Sequence, residues 1–473
     1  MKRFRISTLA LVSVLVLLLV VSARADVRLP KVIGDHMVLQ QGTSVPIWGW
    51  ADAEEKVTVT LGQSTATATA CSEGKWMVKL DAMEAGGPYE MTVQAGNTIT
   101  LADILVGEVW VCSGQSNMQW PVAACDNAQE EIAAADYPKI RLFTVAQKVA
   151  EKPLDDCEGS WTASSPQTVP GFTAAGYFFG RYLHKELGVP VGLINCSWGG
   201  TIAEAWASHE GLLGEPDFEP IIERAAQFDP KTPNQATNLY DGMLHPLIPF
   251  GIRGAIWYQG ESNCGRAQQY RKLFPAMITD WRKNWGQGDF PFLFVQLAPF
   301  RYGNSDPKCL AELWEAQLRT LALPNTGMAV TTDIGNVQDI HPKNKQDVAR
   351  RLALWALANT YGKDLVYSGP LYESASVEGD KIRVRFKHVG GGLVAKGGEL
   401  SHFTIAGADG QFAPATATID GDSIVVHSDQ VTAPVAVRFG WRDDAEPNLF
   451  NAEGLPASPF RTDDFEMVTA GSK

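Results

Sequence analysis

The spacing of apolar and polar residues divides the chain after its first 25 residues into three regions. In residues 26–104, short runs of alternating apolar and polar residues are separated by Gly, Asp, Glu and Asn. Strands with one buried face alternate in this way, and several of them at such spacing are typical of a β-sandwich. The runs lie at 45–50, 57–61, 76–80 and 89–93. The pattern therefore predicts an N-terminal β-sandwich domain over residues 26–104.

In residues 105–362, continuous apolar runs of strand length alternate with longer amphipathic segments. The predicted strands lie at 109–112, 140–145, 191–195, 254–258, 292–297 and 328–332. The predicted helices lie at about 172–187, 267–285, 309–321 and 344–361. Buried strands that alternate with helices predict an α/β unit, in which helices cover both faces of a parallel sheet.

Residues 363–473 return to short β runs and contain no periodic segment of helix length. The runs lie at 382–386, 403–405, 424–427 and 435–439. This pattern predicts a C-terminal β-rich domain, or strands that complete the N-terminal one. A chain of 473 residues is long enough for such a division, since two or three domains are expected at this length.

Residues 1–25 have the pattern of a secretory signal peptide rather than of a folded segment. Lys2, Arg3 and Arg5 are followed by an apolar run at 9–21 and by the cleavage pattern Ala-Arg-Ala at 23–25. The apolar run is too short and wrongly flanked for a stable membrane span. We therefore expect a bacterial type of export to the periplasm or medium, a mature chain that starts at Asp26, and no membrane attachment afterwards.

The charge balance excludes one class of partner. The formal net charge is −13, and no basic stretch compensates it. A nucleic-acid binder needs a basic patch, and an anionic membrane surface would repel this chain. We therefore expect no nucleic-acid partner, whereas the oligomeric state is left open.

The seven cysteines leave at least one thiol unpaired, because their number is odd. Disulfides are permitted in an exported protein, and Cys125 with Cys157 is the pair we consider. Cys112 and Cys196 lie in apolar strand contexts, which predicts buried thiols. The sequence contains no Cys-x-x-Cys pair and no clustered His, so a structural zinc site is not expected.

The strand predicted at 109–112 ends abruptly in Ser113-Gly114-Gln115-Ser116-Asn117. A small polar turn with a glycine can hold a hydroxyl at the carboxyl edge of a sheet, where ligands of open α/β sheets bind. We therefore take Ser116 as the hypothesised nucleophile. The turn is not Gly-x-Ser-x-Gly, so the nucleophile elbow of α/β-hydrolases is absent.

Three more polar turns follow strands of the same region, at 199–201, 259–263 and 339–342. In a parallel sheet such turns meet at one edge, so residues that are distant in sequence converge there. Each turn alone would be ordinary turn chemistry, and a lone histidine at a helix start would be equally unremarkable. Their joint occurrence at strand ends favours a catalytic site.

Acyl transfer requires a nucleophile, a base and a group that orients the base. We assign Ser116 as the nucleophile and His341 as the base. Asp339 is the predicted orienting acid, because residues two apart in an extended chain leave the same face. Asp333 is the alternative.

The oxyanion of acyl transfer also needs hydrogen-bond donors. The predicted donors are the backbone N–H groups of Ser116 and Gly200 and the side-chain amide of Gln259, since glycine permits close backbone approach. Glu261 is expected to brace its turn rather than to act on substrate. Such a mechanism requires no metal or organic cofactor.

The four turns together resemble the blocks of a known family. They read GQSNMQW, NCSWGGT, WYQGESN and DIHPKNK, and they are similar to those of the sialate O-acetylesterase family within the SGNH (GDSL-like) hydrolases. The similarity extends over nearly all of the chain after residue 25, including 238–243, 439–442 and 447–451. It implies a flavodoxin-like three-layer α/β/α catalytic domain with β-sandwich-type accessory domains at both ends.

The resemblance also implies an activity, the removal of O-acetyl groups from carbohydrate. Residue by residue, it makes Ser116 the nucleophile, Gly200 and Gln259 oxyanion donors, and His341 the base. The superfamily often spaces its acid and base as D-x-x-H, whereas this chain has D-x-H with Gln338 in the expected place of the acid. The identity of the orienting acid therefore stays open between Asp339 and Asp333.

The substrate is less constrained than the chemistry. O-acetylated sialic acid is the expected substrate, and acetylated xylan or another plant polysaccharide is the alternative. A sialate carboxylate requires a cation at the cleft, for which Arg253, Arg266 and Arg301 are candidates, whereas a neutral cleft lined by Trp would favour xylan. A third hypothesis, an inactive carbohydrate-binding protein, is disfavoured because Ser116, His341 and Gln259 are all present.

Overall fold

The computed structural model describes residues 26–303 and 305–473. The predicted signal peptide at 1–25 lies outside the described residues. The described strands, in chain order, are β1 Val38–Gln40, β2 Val45–Trp50, β3 Lys56–Leu61, β4 Ser64–Thr69, β5 Lys75–Leu80, β6 Gly86–Gln94, β7 Thr98–Gly114, β8 Tyr137–Thr144, β9 Trp161–Ser164, β10 Val191–Ser197, β11 Gly254–Tyr258, β12 Phe292–Gln296, β13 Thr326–Val330, β14 Leu371–Glu378, β15 Lys381–Lys387, β16 Leu393–Ala395, β17 Phe403–Ala406, β18 Phe412–Pro414, β19 Thr416–Asp420, β20 Ser423–His427, β21 Ala436–Phe439, β22 Leu449–Asn451 and β23 Phe460–Arg461.

The described α-helices are α1 Ser116–Gln119, α2 Ala128–Ala133, α3 Ala174–Leu187, α4 His209–Leu212, α5 Glu219–Arg224, α6 Ala267–Trp285, α7 Lys308–Thr320 and α8 Lys345–Asn359. Four of them, α3, α6, α7 and α8, match the predicted helices to within about two residues at most ends. The short helices α1, α2, α4 and α5 lie in segments where the sequence predicts no regular structure.

A large central sheet organises the fold, with the strand order β13-β12-β11-β7-β10-β8-β9. All neighbouring pairs from β13 to β8 are parallel, and β9 pairs antiparallel with β8. The predicted parallel sheet is therefore confirmed, within a mixed α/β fold that also contains several smaller sheets. Its carboxyl edge carries the ends of β7, β10 and β11. The turn at 113–117 that contains Ser116, here called the serine turn, therefore lies at this edge.

Strand β7 connects the N-terminal β region to the central sheet. It has 17 residues; its first part pairs with β6 and its last part with β10 and β11. The predicted domain boundary between residues 104 and 105 falls inside this strand. One hydrophobic core accordingly runs from the N-terminal strands into the central sheet.

The C-terminal strands form small antiparallel sheets with a core of their own. Strands β14, β15, β20 and β19 make one sheet, and β18, β17, β21 and β23 make another. Ile382, Ile405 and Phe439 belong to this separate core. The region is tied to the central unit by polar contacts, among them a hydrogen bond of 2.9 Å from Gln296 Nε2 to Ser458 Oγ.

Helix ends follow local sequence chemistry. At the start of α3 the Thr173 hydroxyl accepts a hydrogen bond from the Gly176 N–H, and α3 ends at Gly188 in the left-handed region, with φ +71°. At the start of α8 the Asn344 side chain accepts from the Asp347 N–H. Such caps typically stabilise a helix by about 1 kcal/mol.

The cysteines are unpaired, so the pair we considered is wrong. Cys125 and Cys157 are free thiols, both buried, and Cys112 and Cys196 are buried thiols as predicted. Among residues 26–303 and 305–473, no helix is long and apolar enough to cross a membrane.

Candidate active site

Close packing of β7 against β11 produces the serine turn. Gly114 has φ +136°, and a Cβ at this position would lie 2.2 Å from the Tyr258 carbonyl oxygen. Only glycine permits this approach. The next residue, Gln115, donates its backbone N–H to the same oxygen at 3.0 Å. The chain then turns into α1, and Ser116 is its first residue.

The hydroxyl of Ser116 meets the imidazole of His341 across 225 residues of sequence. The Oγ atom lies 2.8 Å from His341 Nε2, which is hydrogen-bond distance. The two side chains are brought together because the loop after β13 returns to the edge where β7 ends. A nucleophile and a base at this distance can exchange a proton directly.

Asp339, rather than Asp333, lies beside the histidine ring. One Asp339 oxygen is 3.8 Å from His341 Nδ1, and the same oxygen accepts the backbone N–H of His341 at 3.0 Å. The 3.8 Å separation is too long for a hydrogen bond, so the carboxylate acts on the ring through its charge.

Asp333 is engaged elsewhere. Its two oxygens accept from the guanidinium of Arg351 at 2.6 and 2.8 Å. The Arg351 and Asp333 side chains are only 5% and 12% exposed. This bidentate pair holds Asp333 away from His341, so the geometry favours Asp339 of the two acids that the sequence left open.

The surroundings of His341 favour its neutral form. Burial lowers the pKa of His341, the charge of Lys345 lowers it further, and Asp339 acts in the opposite direction. A neutral imidazole is the form that can take a proton from a serine hydroxyl. These effects together favour the neutral ring of His341.

The turn after β10 lies directly against Ser116. A Cβ at Gly199 would be 3.3 Å from Ser116 Cβ, and the Gly199 N–H donates to Gln119 Oε1 at 2.7 Å. Gly200 has φ +76°, a conformation that glycine adopts without strain. Its carbonyl oxygen accepts from Asn234 Nδ2 at 3.0 Å, which fixes the turn with its backbone beside the serine.

The side-chain amide of Gln259, which the sequence predicts as an oxyanion donor, is bonded within the protein. Its side-chain nitrogen donates to Thr201 O at 3.1 Å and to Asn263 Oδ1 at 2.6 Å. Its side-chain oxygen accepts from the Tyr270 hydroxyl at 3.1 Å. Both amide hydrogens are therefore used within the protein, and the residue is fully buried. In this structure Gln259 therefore supports the turn at 199–201 and Asn263.

Three further side chains surround the serine–histidine pair, and the sequence argument gave none of them a role there. The Trp120 indole stacks on His341 with ring centroids 4.9 Å apart. Asn117 Nδ2 donates to Glu261 Oε1 at 2.6 Å, and Lys345 Nζ donates to Asn117 Oδ1 at 2.6 Å. Asn117, Trp120 and Lys345 all lie within the four motif blocks. Their position in these blocks was the one sequence feature that could have pointed to a role in the site.

The three candidate arginines differ in their availability. Arg253 is paired with the buried Glu108 at 2.6 Å, and Arg266 with the buried Glu204 at 2.7 Å. The Arg301 side chain is 58% exposed and pairs with Asp444 at 3.1 Å. Its backbone N–H donates to Val337 O in the loop that carries His341. Arg301 is therefore the most exposed of the three, since the side chains of Arg253 and Arg266 are 29% and 19% exposed.

Comparisons with known proteins identify the family of the chain. A family model described as carbohydrate esterase, sialic acid-specific acetylesterase, matches residues 106–356. The sialate O-acetylesterase of Mus musculus is 35% identical over 414 residues, covering 74% of this chain and 76% of that protein. The sialate O-acetylesterase of Homo sapiens is 36% identical over 395 residues, covering 74% of this chain and 75% of that protein.

A solved structure is also similar along nearly the whole chain. A carbohydrate acetylesterase from Xanthomonas citri is 43% identical with a TM-score of 0.86, covering 93% of this chain and 100% of that one. The family match spans the sheet edge that carries Ser116 and His341. We conclude that the chain is a carboxylic ester hydrolase and belongs to the carbohydrate esterase, sialic acid-specific acetylesterase family.

Proposed function

We propose that the protein is a carbohydrate O-acetylesterase that removes acetyl groups from O-acetylated sialic acid, with Ser116 as its nucleophile. The observation that carries the proposal is the 2.8 Å separation between Ser116 Oγ and His341 Nε2. The relatives named sialate O-acetylesterase support the substrate class. Intact groups for acyl transfer argue against an inactive binding protein.

In the first step, Ser116 Oγ attacks the acetyl carbonyl carbon while His341 Nε2 takes the hydroxyl proton. The ring then carries a proton on each nitrogen, and the negative charge of Asp339 stabilises this imidazolium. Collapse of the tetrahedral intermediate expels the sugar oxygen, which receives the proton from Nε2. The products are the free sugar hydroxyl and an acetyl ester on Ser116.

In the second step, His341 takes a proton from water, whose oxygen attacks the acetyl-enzyme. Acetate leaves, and the proton returns to Ser116 Oγ. We propose that the backbone N–H groups of Ser116 and Gly200 hold the oxyanion in both steps. Donors of this kind are typically worth about 3–4 kcal/mol each in the transition state.

We propose a flavodoxin-like three-layer arrangement for the catalytic domain at 105–362. The packing of α3 on α8 and of α6 on α7 supports it, since two separate helix pairs suit the two faces of a sheet. The flanking regions 26–104 and 363–473 are then accessory β domains. Limited proteolysis, with mass spectrometry of the stable fragments, tests the boundary at 362–363, where the exposed chain should be cleaved. The boundary at 104–105 lies inside the buried part of β7 and should resist cleavage.

We also propose export, from the basic start, the apolar run at 9–21 and the Ala-Arg-Ala pattern. N-terminal sequencing of the exported protein checks it. Cleavage before Asp26 is the expected result.

Release of acetate tests the activity. Wild type and Ser116→Ala are assayed on O-acetylated sialic acid, acetylated xylan and 4-nitrophenyl acetate, with circular dichroism to verify folding. Wild-type release from sialic acid, and its loss in Ser116→Ala, is the expected result. Release from xylan alone would transfer the proposal to the plant polysaccharide, and full activity of Ser116→Ala would overturn the assigned nucleophile.

Arg301→Gln separates the two substrates further. If the exposed guanidinium meets the sialate carboxylate, this variant raises KM for acetylated sialic acid and leaves KM for the neutral 4-nitrophenyl acetate unchanged. Lys308→Gln, an exposed cation of the neighbouring α7, is the matched control. Equal KM values for Arg301→Gln and wild type on sialic acid would remove Arg301 from the binding site.

A further inference from the structure

A single carboxamide joins the serine turn to the histidine loop. Asn117 Nδ2 donates to the Ile340 carbonyl oxygen at 2.9 Å and to Glu261 Oε1 at 2.6 Å. Asn117 follows Ser116 directly, and Ile340 directly precedes His341. The bond between Asn117 and Ile340 therefore fixes the two segments that carry the reacting atoms relative to each other.

Lys345 determines which way this carboxamide points. Its Nζ donates to Asn117 Oδ1 at 2.6 Å. An ammonium can only donate and a carbonyl oxygen can only accept, so the oxygen of Asn117 must face Lys345 and its nitrogen must face Ile340. All the polar atoms of the Asn117 side chain are thereby engaged, and the residue is 1% exposed.

The ammonium and the carboxylate on either side of Asn117 are both in the interior. Lys345 is 0% exposed, and its Nζ lies 4.9 Å from the centroid of the Tyr258 ring. Burial lowers the pKa of Lys345 to about 7 and raises the pKa of Glu261. Both shifts favour the neutral form of the group, as burial requires. Buried ionisable groups of this kind often add little net stability, and they can instead specify one geometry. That geometry here is the approach of His341 to Ser116.

The same ammonium contributes to the charge around the base. Lys345 of α8 and Asp339 of its own loop act electrostatically on His341. Lys345 Nζ lies 5.9 Å from the centroid of the Trp120 ring, which stacks on His341. Glu261, Asp339 and Cys125 in turn act electrostatically on Lys345. Its positive charge opposes protonation of His341, whereas Asp339 favours it. Removal of the Lys345 charge therefore has a defined sign, because His341 would then bind its proton more readily.

We propose that Asn117 and Lys345 are positioning residues of the esterase site. Asn117 holds the segment of Ser116 at the loop of His341, and Lys345 fixes the orientation of Asn117. The inference rests on the proposed function, since it assigns these residues to the reaction of Ser116. Neither residue touches the substrate in this assignment.

Titration of His341 by NMR tests the charge without requiring turnover. The ring signals of histidine-labelled wild type, Lys345→Met and Lys343→Met are followed against pH, with His341→Gln to assign the signal. Lys343 is exposed and lies two residues from Lys345 along the chain. Because solvent and salt screen its charge, Lys343→Met is the matched control. A higher His341 pKa in Lys345→Met, with little change in Lys343→Met, is the expected result. Equal shifts in both variants, or none in either, would overturn the role of Lys345.

Steady-state kinetics with 4-nitrophenyl acetate test the role of Asn117. We expect Asn117→Ala to lower kcat about 10-fold or more with KM nearly unchanged, because small displacements of reacting groups have effects of this size. If Asn117→Ala does not fold, Asn117→Ser is used, and it should retain part of the activity through its one hydroxyl. A folded Asn117→Ala with wild-type kcat would contradict the proposal.

The two proposals fail in distinguishable ways. Absence of Ser116-dependent turnover in wild type would reject the proposed function, whereas the titration of His341 would still report on Lys345. Suppose instead that wild type turns over normally, that Asn117→Ala keeps its kcat and that Lys345→Met leaves the His341 pKa unchanged. These results would reject only the positioning roles of Asn117 and Lys345.

Discussion

The indole of Trp120 lies nearly parallel to the imidazole of His341, with ring centroids 4.9 Å apart and 18° between the planes. The indole is held in turn by its Nε1, which donates to Ala124 O at 2.9 Å. Rotation of the imidazole would break this stacking. The contact therefore favours the ring orientation in which His341 Nε2 faces Ser116.

Removal of this stacking surface should reduce turnover. We expect Trp120→Leu to lower kcat about 10-fold, because the ring would no longer be held in line with the hydroxyl. Trp120→Phe, which keeps an aromatic face, should retain more activity. Trp50→Leu, a substitution of a partly exposed tryptophan on β2, is the control. Wild-type kcat in Trp120→Leu, measured with 4-nitrophenyl acetate, would show that the stacking has no role in positioning.

The pH dependence of kcat/KM should reflect a base that is harder to protonate than an ordinary histidine. Burial lowers the pKa of His341, and Lys345 lowers it further. The neutral base therefore persists to lower pH, and kcat/KM should fall only as the pH drops through this lowered pKa. Rates on 4-nitrophenyl acetate across the acidic range measure the midpoint. A midpoint at or above the usual histidine value would contradict the structure.

The sequence predicts the elements and the meeting of Ser116 with His341, because both depend on local patterns. Apolar runs determine the strands of the central sheet, and a parallel sheet gathers their terminal turns at one edge. The continuity of β7 across the predicted boundary at residue 104 depends on pairing with strands far away in sequence, which no local pattern reveals.

Local patterns do not predict the side-chain partners inside the site either, because these partners are also distant in sequence. Gln259 looks like a free polar side chain in its turn, yet its amide is satisfied by Thr201 and Asn263, and by Tyr270 on α6. Lys345 looks like a surface residue at a helix start. It is buried because the first turn of α8 packs behind the serine turn.

Substitution of the two acids separately should identify the one that acts on His341. Asp339→Asn keeps an oxygen that can accept the His341 N–H but removes the charge beside the ring. We therefore expect kcat/KM to fall about 10-fold, with little change in the free energy of unfolding. Asp333→Asn breaks a buried ion pair with Arg351 and should lower that free energy by about 3–5 kcal/mol.

Urea denaturation and the pH profile of kcat/KM distinguish these outcomes. Asp333→Asn should leave the acid limb of the profile in place, since Asp333 does not contact His341. Loss of activity in Asp333→Asn without loss of stability, and full activity in Asp339→Asn, would make Asp333 the orienting acid.

Gln259→Leu discriminates a supporting residue from an oxyanion donor. The leucine would leave Thr201 O, Asn263 Oδ1 and the Tyr270 hydroxyl without their buried partner, and one such unpaired group costs about 1–3 kcal/mol. We therefore expect a lower free energy of unfolding in urea. Tyr270→Phe, which removes only the hydroxyl that donates to Gln259, should show a smaller loss. An oxyanion donor would behave differently, because its removal lowers kcat by about 100- to 1000-fold and leaves stability intact. That result would mean that the amide of Gln259 turns away from Thr201 and Asn263 when substrate binds.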